Sequence, residues 1–281
     1  MIQQGLKCNL AHSGIMKRLE MNQRCAELFD RVRRGSPRAL LLDYDGTLAP
    51  FRVERDRAFI DPRLRTPLQA ICELGRTRVV IISGRAIADL KPLVELTPLP
   101  ELWGSHGWER LTRDGRYHAP DLTEGQRTAL HAAVEIATAA GLRERCEIKP
   151  AGVALHWRGL PEQDVADTHA RAVELWSRFR AAPSITWHEF DGGVELRAAG
   201  CDKGTAVARI LRDLPEQAGI AYAGDDTTDE DAFRMLAGRG LGVLVRPTDR
   251  DSAADVRFET ADEWEWFLHE WMTADREGGG G

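Results

Sequence analysis

The chain lacks the features that would place it outside the soluble globular proteins. No long apolar run occurs: charged residues make up 29% of the 281 positions and interrupt every hydrophobic segment, far short of the ~20 apolar residues that span a bilayer. The N-terminus has no continuous apolar core of the secretory type. Five cysteines, Cys8, Cys25, Cys72, Cys146 and Cys201, are odd in number and scattered, which argues against a disulfide framework or a zinc site and for reduced thiols. Positive charge is not in excess either. A net charge of −6 is the wrong sign for a nucleic-acid or anionic-membrane surface. These absences lead us to expect a soluble cytoplasmic protein, monomeric, with neither nucleic acid nor membrane as a partner.

What is present is acid in two particular places. The octet Gly224-Asp225-Asp226-Thr227-Thr228-Asp229-Glu230-Asp231 follows the apolar run Gly219–Ala223 and precedes a helical pattern. Five acids within seven positions repel one another unless a cation sits among them, and a hard ion such as Mg²⁺ takes oxygen ligands. Taken alone, the octet also fits an acid-rich helix start, since first-turn carboxylates complement the helix dipole. The second place is Leu40-Leu41-Leu42-Asp43-Tyr44-Asp45-Gly46-Thr47-Leu48, where an apolar run ends in two carboxylates and a glycine turn. Ligands of parallel sheets bind beyond the carboxyl ends of the strands. Two acids at i and i+2 there can divide nucleophilic attack and proton transfer; an ordinary Asp-Gly turn is the plainer reading. A calcium loop fits poorly, because its glycine would fall at position six.

Short apolar runs at Ala39–Leu42, Val79–Ile82, Ile220–Ala223 and Leu241–Val245 alternate with helical patterns such as Pro62–Leu74 and Lys203–Leu214. That alternation predicts a doubly wound, Rossmann-like α/β core with a parallel sheet. Between Tyr117 and Arg197 the order becomes helix–strand–strand, twice, with turns at Pro150-Ala151-Gly152 and Asp191-Gly192-Gly193. It predicts a four-stranded antiparallel sheet with two helices on one face, inserted into the core. The expected division is an N-terminal extension at 1–35, helical over 16–34; a core at 36–116 and 198–275; a cap at 117–197; and a flexible tail at 276–281. Trp264, Phe267, Leu268 and Trp271 recur at helical spacing, which predicts packing against the core rather than a sugar platform.

Four segments, Asp43-Tyr44-Asp45-Gly46-Thr47-Leu48, Ser83-Gly84-Arg85, Asp202-Lys203-Gly204 and the Gly224–Asp231 octet, occur in an order that resembles the haloacid dehalogenase superfamily. Within it the octet resembles the trehalose-6-phosphate phosphatases most, and the likeness runs from about Arg38 to Trp271. The resemblance implies a cap that closes over a phosphate site, and Mg²⁺-dependent hydrolysis of trehalose 6-phosphate through an aspartyl-phosphate. It implies Asp43 as nucleophile, Asp45 as general acid and base, Lys203 as the neutralising cation and Ser83 as a phosphoryl ligand. It assigns Mg²⁺ to Asp43, the Asp45 carbonyl and Asp225, with Asp226 and Asp229 orienting the ligands. Arg85 is expected to clamp phosphate or substrate.

Sugar recognition is expected from the cap. Glu147 and Lys149, His156 and Arg158, and Glu195 and Arg197 stand two apart on three predicted strands, so each pair shares a face. Such a face also fits a solvated sheet laced with cross-strand ion pairs; the resemblance favours substrate binding by Glu147, Lys149, Arg158 and Glu195. Ser105-His106-Gly107-Trp108-Glu109 resembles the family's His-Gly-x-Glu segment, which adds His106 and Glu109. The family has proline after Glu-Leu-Arg where this chain has Ala198, and a looser hinge is expected there. A related sugar phosphatase, a phosphomutase and a non-catalytic sugar-phosphate-binding regulator remain the competing readings.

Overall fold

The computed structural model describes residues 2–278 apart from 53, 158 and 191, with side chains from Arg18 onward. The first part of the core comprises α1 (Ile2–Arg33), β1 (Arg38–Leu42), α2 (Pro62–Leu74), β2 (Thr77–Ile82), α3 (Ile87–Leu90), β3 (Glu101–Gly104), β4 (Glu109–Leu111) and β5 (Tyr117–His118). The inserted cap contains α4 (Glu124–Ala139), β6 (Cys146–Lys149), β7 (Gly152–His156), α5 (Glu162–Trp176), β8 (Ile185–Phe190) and β9 (Gly193–Ala198). The chain then returns to the core for α6 (Lys203–Arg212), β10 (Gly219–Gly224), α7 (Glu230–Leu236), β11 (Leu241–Val245), β12 (Val256–Phe258) and α8 (Ala261–Glu277).

The core sheet runs β12-β11-β10-β1-β2-β3-β4-β5. Its first six strands are parallel, and β4 and β5 extend it as an antiparallel edge. The central strand β1 is buried throughout, and its alternation explains why. Leu40 and Leu42 face a layer built by α1, α2 and α8, with Phe29, Leu68, Trp264 and Trp271. Ala39 and Leu41 face the opposite layer, with Val207, Ile210 and Phe233 from α6 and α7. Fully burying a leucine contributes roughly 1.5–3 kcal/mol, so Leu40, Leu41 and Leu42 anchor firmly the strand that ends in Asp43. The aromatic stripe of α8 packs as predicted, and the Trp264 indole donates to the Thr47 carbonyl at 3.0 Å.

The cap sheet runs β6-β7-β9-β8, antiparallel throughout. Its helices cover one face around Leu130, Leu155, Trp176 and Leu196. Across the other face, register aligns Glu147, Ala154, Glu195 and His188 in one row, and Lys149, Gly152, Arg197 and Thr186 in the next. The small residues of β7 leave a trough, so the long side chains of β6 and β9 meet over it. Lys149 Nζ reaches Glu195 Oε1 at 2.6 Å.

Four boundaries differ from the sequence reading. Helix α1 begins at Ile2 rather than 16. Tyr117 and His118, placed with the cap on composition, pair with β4 in the core sheet. Arg276 and Glu277, assigned to the tail, complete α8, while 279–281 lie outside the described residues. Ala198 is not a loose hinge: it is the buried last residue of β9, and its N–H donates to the Ala151 carbonyl at 2.8 Å, a bond proline could not make.

Candidate active site

Every core group singled out as catalytic or metal-binding leaves the carboxyl end of a parallel strand or the start of α6. Asp43 is the first residue beyond β1, and its N–H donates to the Ala223 carbonyl of β10 at 2.9 Å. Its side chain is 5% exposed. Lys203 Nζ donates to Asp43 Oδ1 at 2.5 Å and to Asp229 Oδ1 at 2.7 Å. Lys203 opens α6, whose N-cap is Asp202, the acceptor from Thr205 N. Burial opposes its charge, but Asp229 and Asp43 outweigh burial and raise its pKa. A lysine in a first helical turn opposes the helix dipole; here two buried carboxylates hold it there.

Asp225 follows β10 and its Oδ1 is buried without a hydrogen-bond partner among the described residues. Burial first, then the negative charges of Asp43 and Asp229, push its pKa up to about 9. Burial first, then the charges of Asp229 and Asp45, raise Asp43 to about 7 against the pull of Lys203. An orphaned carboxylate oxygen beside a second buried carboxylate is the arrangement a divalent cation relieves. Oxygens of Asp43, Asp225 and Asp229 lie within 4.8 Å of one another. Asp229, however, already accepts four bonds: from Lys203 and Tyr222 at one oxygen, and from the backbone N–H groups of Asp225 and Asp226 at the other. It is filled as a positioning group, which leaves Asp43 and Asp225 as the carboxylates that fit a metal. Asp226 caps the turn that follows, its Oδ1 accepting from Thr227 N at 2.7 Å.

Asp45 stands opposite, and Arg85 holds it by a two-pronged clamp. Arg85 Nε donates to Asp45 Oδ2 at 2.7 Å and Nη2 to Oδ1 at 2.6 Å. Arg85 is therefore seated on the proposed acid, where the sequence reading put it on phosphate or substrate. Its third bond, from Nη1 to the Arg55 carbonyl, measures 2.7 Å. Ser83 is buried, and its Oγ accepts the Arg85 N–H at 3.1 Å; its neighbour Gly84 lines the cavity.

The core and cap enclose a cavity of about 730 Å³ lined by Asp43, Asp45, Arg85, Lys203 and Asp225 on one side and Glu147, Lys149, Glu195 and Arg197 on the other. Glu195 is buried at the centre of a cationic cluster. It accepts from Lys149, from Arg197 at 2.9 Å and from His106 Nε2 at 3.1 Å. Burial opposes its charge, yet Arg197, Lys149 and His106 hold its pKa well below the carboxylate range. His106 is pushed down to about 3 by burial and Arg197, so its imidazole is neutral. Donation from Nε2 to Glu195 then makes Nδ1 an acceptor, and Nδ1 is buried without a partner among the described residues. Both Ser105 (φ 48) and His106 (φ 56) are left-handed, a strained conformation for non-glycine residues that turns the ring into the cavity.

Glu109 does not line this cavity. It braces the strained turn from behind, accepting from Ser105 Oγ at 2.6 Å, Ile87 N at 3.2 Å and Tyr117 at 3.0 Å. Arg158 lies outside the described residues. The cavity is also lined by Arg52, Arg55, His156, Arg197 and Arg246, none of them among the expected site groups. The Glu195–Arg197 spacing was a usable signal for Arg197. Arg55 lies in a loop with no pattern to mark it.

A family model described as trehalose-phosphatase matches residues 41–262. The chain belongs to the trehalose-phosphatase family. The trehalose-phosphate phosphatase of Mycobacterium tuberculosis is 33% identical over 226 residues, 75% of this chain and 54% of that relative. The chain thus spans about half the length of the mycobacterial protein. A probable trehalose-phosphate phosphatase of Sinorhizobium fredii is 32% identical over 212 residues, covering 74% of this chain and 78% of the relative. Among solved structures, the C-terminal domain of Candida albicans trehalose-6-phosphate phosphatase superposes with a TM-score of 0.74 at 19% identity, over 89% of this chain and 96% of that one. The likeness establishes the shared core-and-cap fold. Within the family match lie all four motifs and the whole cap.

Proposed function

We propose that this chain hydrolyses trehalose 6-phosphate to trehalose and inorganic phosphate. One observation carries the reading: Asp43 on Lys203, beside the orphaned oxygen of Asp225, faces a cap surface of buried charged and polar groups across a single cavity. A phosphate ester needs the first half of that arrangement and a polyhydroxylated leaving group the second.

An Asp43 oxygen attacks phosphorus, the bond from phosphorus to the sugar oxygen breaks, and an aspartyl-phosphate remains. Asp45 gives its proton to the departing sugar oxygen. Ionised, it then takes a proton from the water that attacks the aspartyl-phosphate, which releases phosphate and restores Asp43. The Arg85 clamp leaves the second lone pair of each Asp45 oxygen for that proton. Lys203 favours the ionised form of Asp43 against burial and offsets phosphoryl charge. The Ser83 hydroxyl, whose oxygen accepts the Arg85 N–H, donates to a phosphoryl oxygen in this reading. Asp43, Asp225 and the Asp45 carbonyl would hold a Mg²⁺ ion, which when bound would supply positive charge near the phosphoryl group. Glu147, Lys149, Glu195 and His106 take the sugar hydroxyls.

We place the protein in the cytoplasm as a monomer. The described cysteines are all unpaired, and no described helix is long and apolar enough to cross a membrane.

Phosphate release with Mg²⁺ should be compared on trehalose 6-phosphate, sucrose 6-phosphate, glucose 6-phosphate and mannose 6-phosphate, beside an Asp43→Asn control. Release from trehalose 6-phosphate alone, abolished in the control, is the expected result. Comparable release from several sugars would shift the reading to a broader sugar phosphatase. No release from a folded, Mg²⁺-binding chain would favour a regulator.

A further inference from the structure

Arg55 connects two things that the mechanism above treats separately. It lies in the single turn Arg55–Arg57 of the core loop that follows the first motif. Its guanidinium forms an ion pair with Glu147 on cap strand β6. Its backbone carbonyl accepts from Arg85 Nη1 at 2.7 Å, and Arg85 is the clamp on Asp45. The loop is fixed at its far end as well: the Tyr44 hydroxyl donates to the Ala58 carbonyl at 2.8 Å and to the Leu93 carbonyl at 3.1 Å, with Arg85 over the Tyr44 ring.

The two ends of the ion pair differ in exposure. The Arg55 side chain is 39% exposed and Glu147 16%. Such a half-exposed pair stabilises by little on its own. Glu147 is also held by His156 Nε2 at 2.8 Å and lies 4.0 Å from Lys149 Nζ, so its carboxylate has a fixed place in the cap face. When the cap leaves the core, Arg55 loses its partner and the loop loses one of its restraints. The carbonyl that steadies Arg85 belongs to the same residue.

We propose that Arg55 is a positioning residue that ties cap closure to the alignment of Asp45. The side chain latches the cap at Glu147, and the carbonyl keeps Arg85 seated on the proton-handling carboxylate. Asp45 is thus best aligned when the cap covers the cavity. An open site then holds a less well-aligned acid, which limits turnover before the sugar is enclosed. The role of Asp45 rests on the reading under Proposed function; the latch itself does not.

Arg55→Ala and Arg55→Lys in the full chain test this. Small-angle X-ray scattering without substrate reads the latch: Arg55→Ala should shift the population toward a larger radius of gyration, and Arg55→Lys should restore most of the compact form. On trehalose 6-phosphate, kcat for Arg55→Ala should fall about tenfold. That lies between the roughly fivefold worth of a half-exposed pair and the hundredfold or more lost with a general acid. KM should change by less than about threefold, since lost alignment acts on the bound state, and the lysine variant should recover kcat. Unchanged scattering, unchanged kcat, or a loss confined to KM would each overturn the proposal. If the unsubstituted chain released no phosphate from trehalose 6-phosphate, the functional reading would fail by itself, and the scattering result would still decide the latch.

Discussion

Gly46 and Asp225 meet so closely that a β-carbon on Gly46 would overlap the Asp225 carboxylate. Gly46 also has φ 87, the left-handed region that side chains avoid. The glycine therefore does two jobs, turning the chain after Asp45 and leaving room for a carboxylate from the neighbouring strand. Gly46→Ala is expected to displace Asp225, at a cost of about 1–3 kcal/mol for the strained backbone. The chain should stay folded by circular dichroism while Mg²⁺ affinity, read by calorimetry, falls at least about tenfold. Wild-type affinity in this variant would mean that Asp225 is not a ligand.

Metal binding should release protons. Asp225 is raised to about 9 and Asp43 to about 7, above the ordinary value of 3.8, so at neutral pH the metal-free pair carries protons that Mg²⁺ must displace. Calorimetry at pH 7 in buffers of different ionisation enthalpy is expected to show between one and two protons leaving per ion.

Stability follows from the same shifts. Between about pH 4 and pH 9 Asp225 and Asp43 hold protons in the folded metal-free chain that they lose on unfolding, so their contribution to stability falls as pH rises; below about pH 6.5 His106 and His188, lowered to about 3 and about 4, work the other way. Urea midpoints in a chelator should decline from pH 6 to pH 9, and saturating Mg²⁺ should flatten the decline. A flat metal-free profile with no proton release would show that the two carboxylates titrate normally.

Removing Lys203 leaves Asp43 and Asp229 facing each other without their shared cation. Breaking a buried pair by deleting one partner costs about 3–5 kcal/mol, which Lys203→Ala should show as a loss in urea unfolding. Protonation of Asp43 would offset part of that loss at low pH, so the deficit should shrink below pH 6. A variant as stable as the parent at pH 8 would contradict the buried-pair account.

Asp45→Asn separates proton transfer from attack. General-acid catalysis contributes about 10²–10⁴-fold, and a nitrophenolate leaves without needing a proton. In single-turnover measurements the first step on trehalose 6-phosphate should slow by about that factor, while the first step on p-nitrophenyl phosphate should change far less. Equal losses on both would assign Asp45 to holding the site together rather than to proton transfer.

Asp43, Asp45 and Asp225 were legible because each sits in a local pattern, an apolar run that ends in acid. The cap's helix–strand–strand repeat was legible for the same reason, since periods of two and 3.6 are properties of neighbouring residues. Glu147 and Lys149 could be placed on one face of their strand by spacing alone, as could Glu195 and Arg197 on theirs. Their partners could not, because Lys149 reaches Glu195 only across the small residues of β7. Glu109 and Arg85 matched motifs, yet the structure places one behind the cavity wall and the other on Asp45.

The order of the chain thus determined which residues would stand at strand ends and which faces would be polar, since burial of alternating side chains requires no distant information. Tertiary structure decided what each group bonds to. Asp229 is occupied by Lys203 from another element, Asp225 keeps an oxygen without a hydrogen-bond partner among the described residues, and Arg55 meets Glu147 across 92 positions of chain. Those outcomes depend on strand order in the core sheet and on where the cap docks, and a hydrogen bond forms only where the fold brings donor and acceptor within about 3 Å.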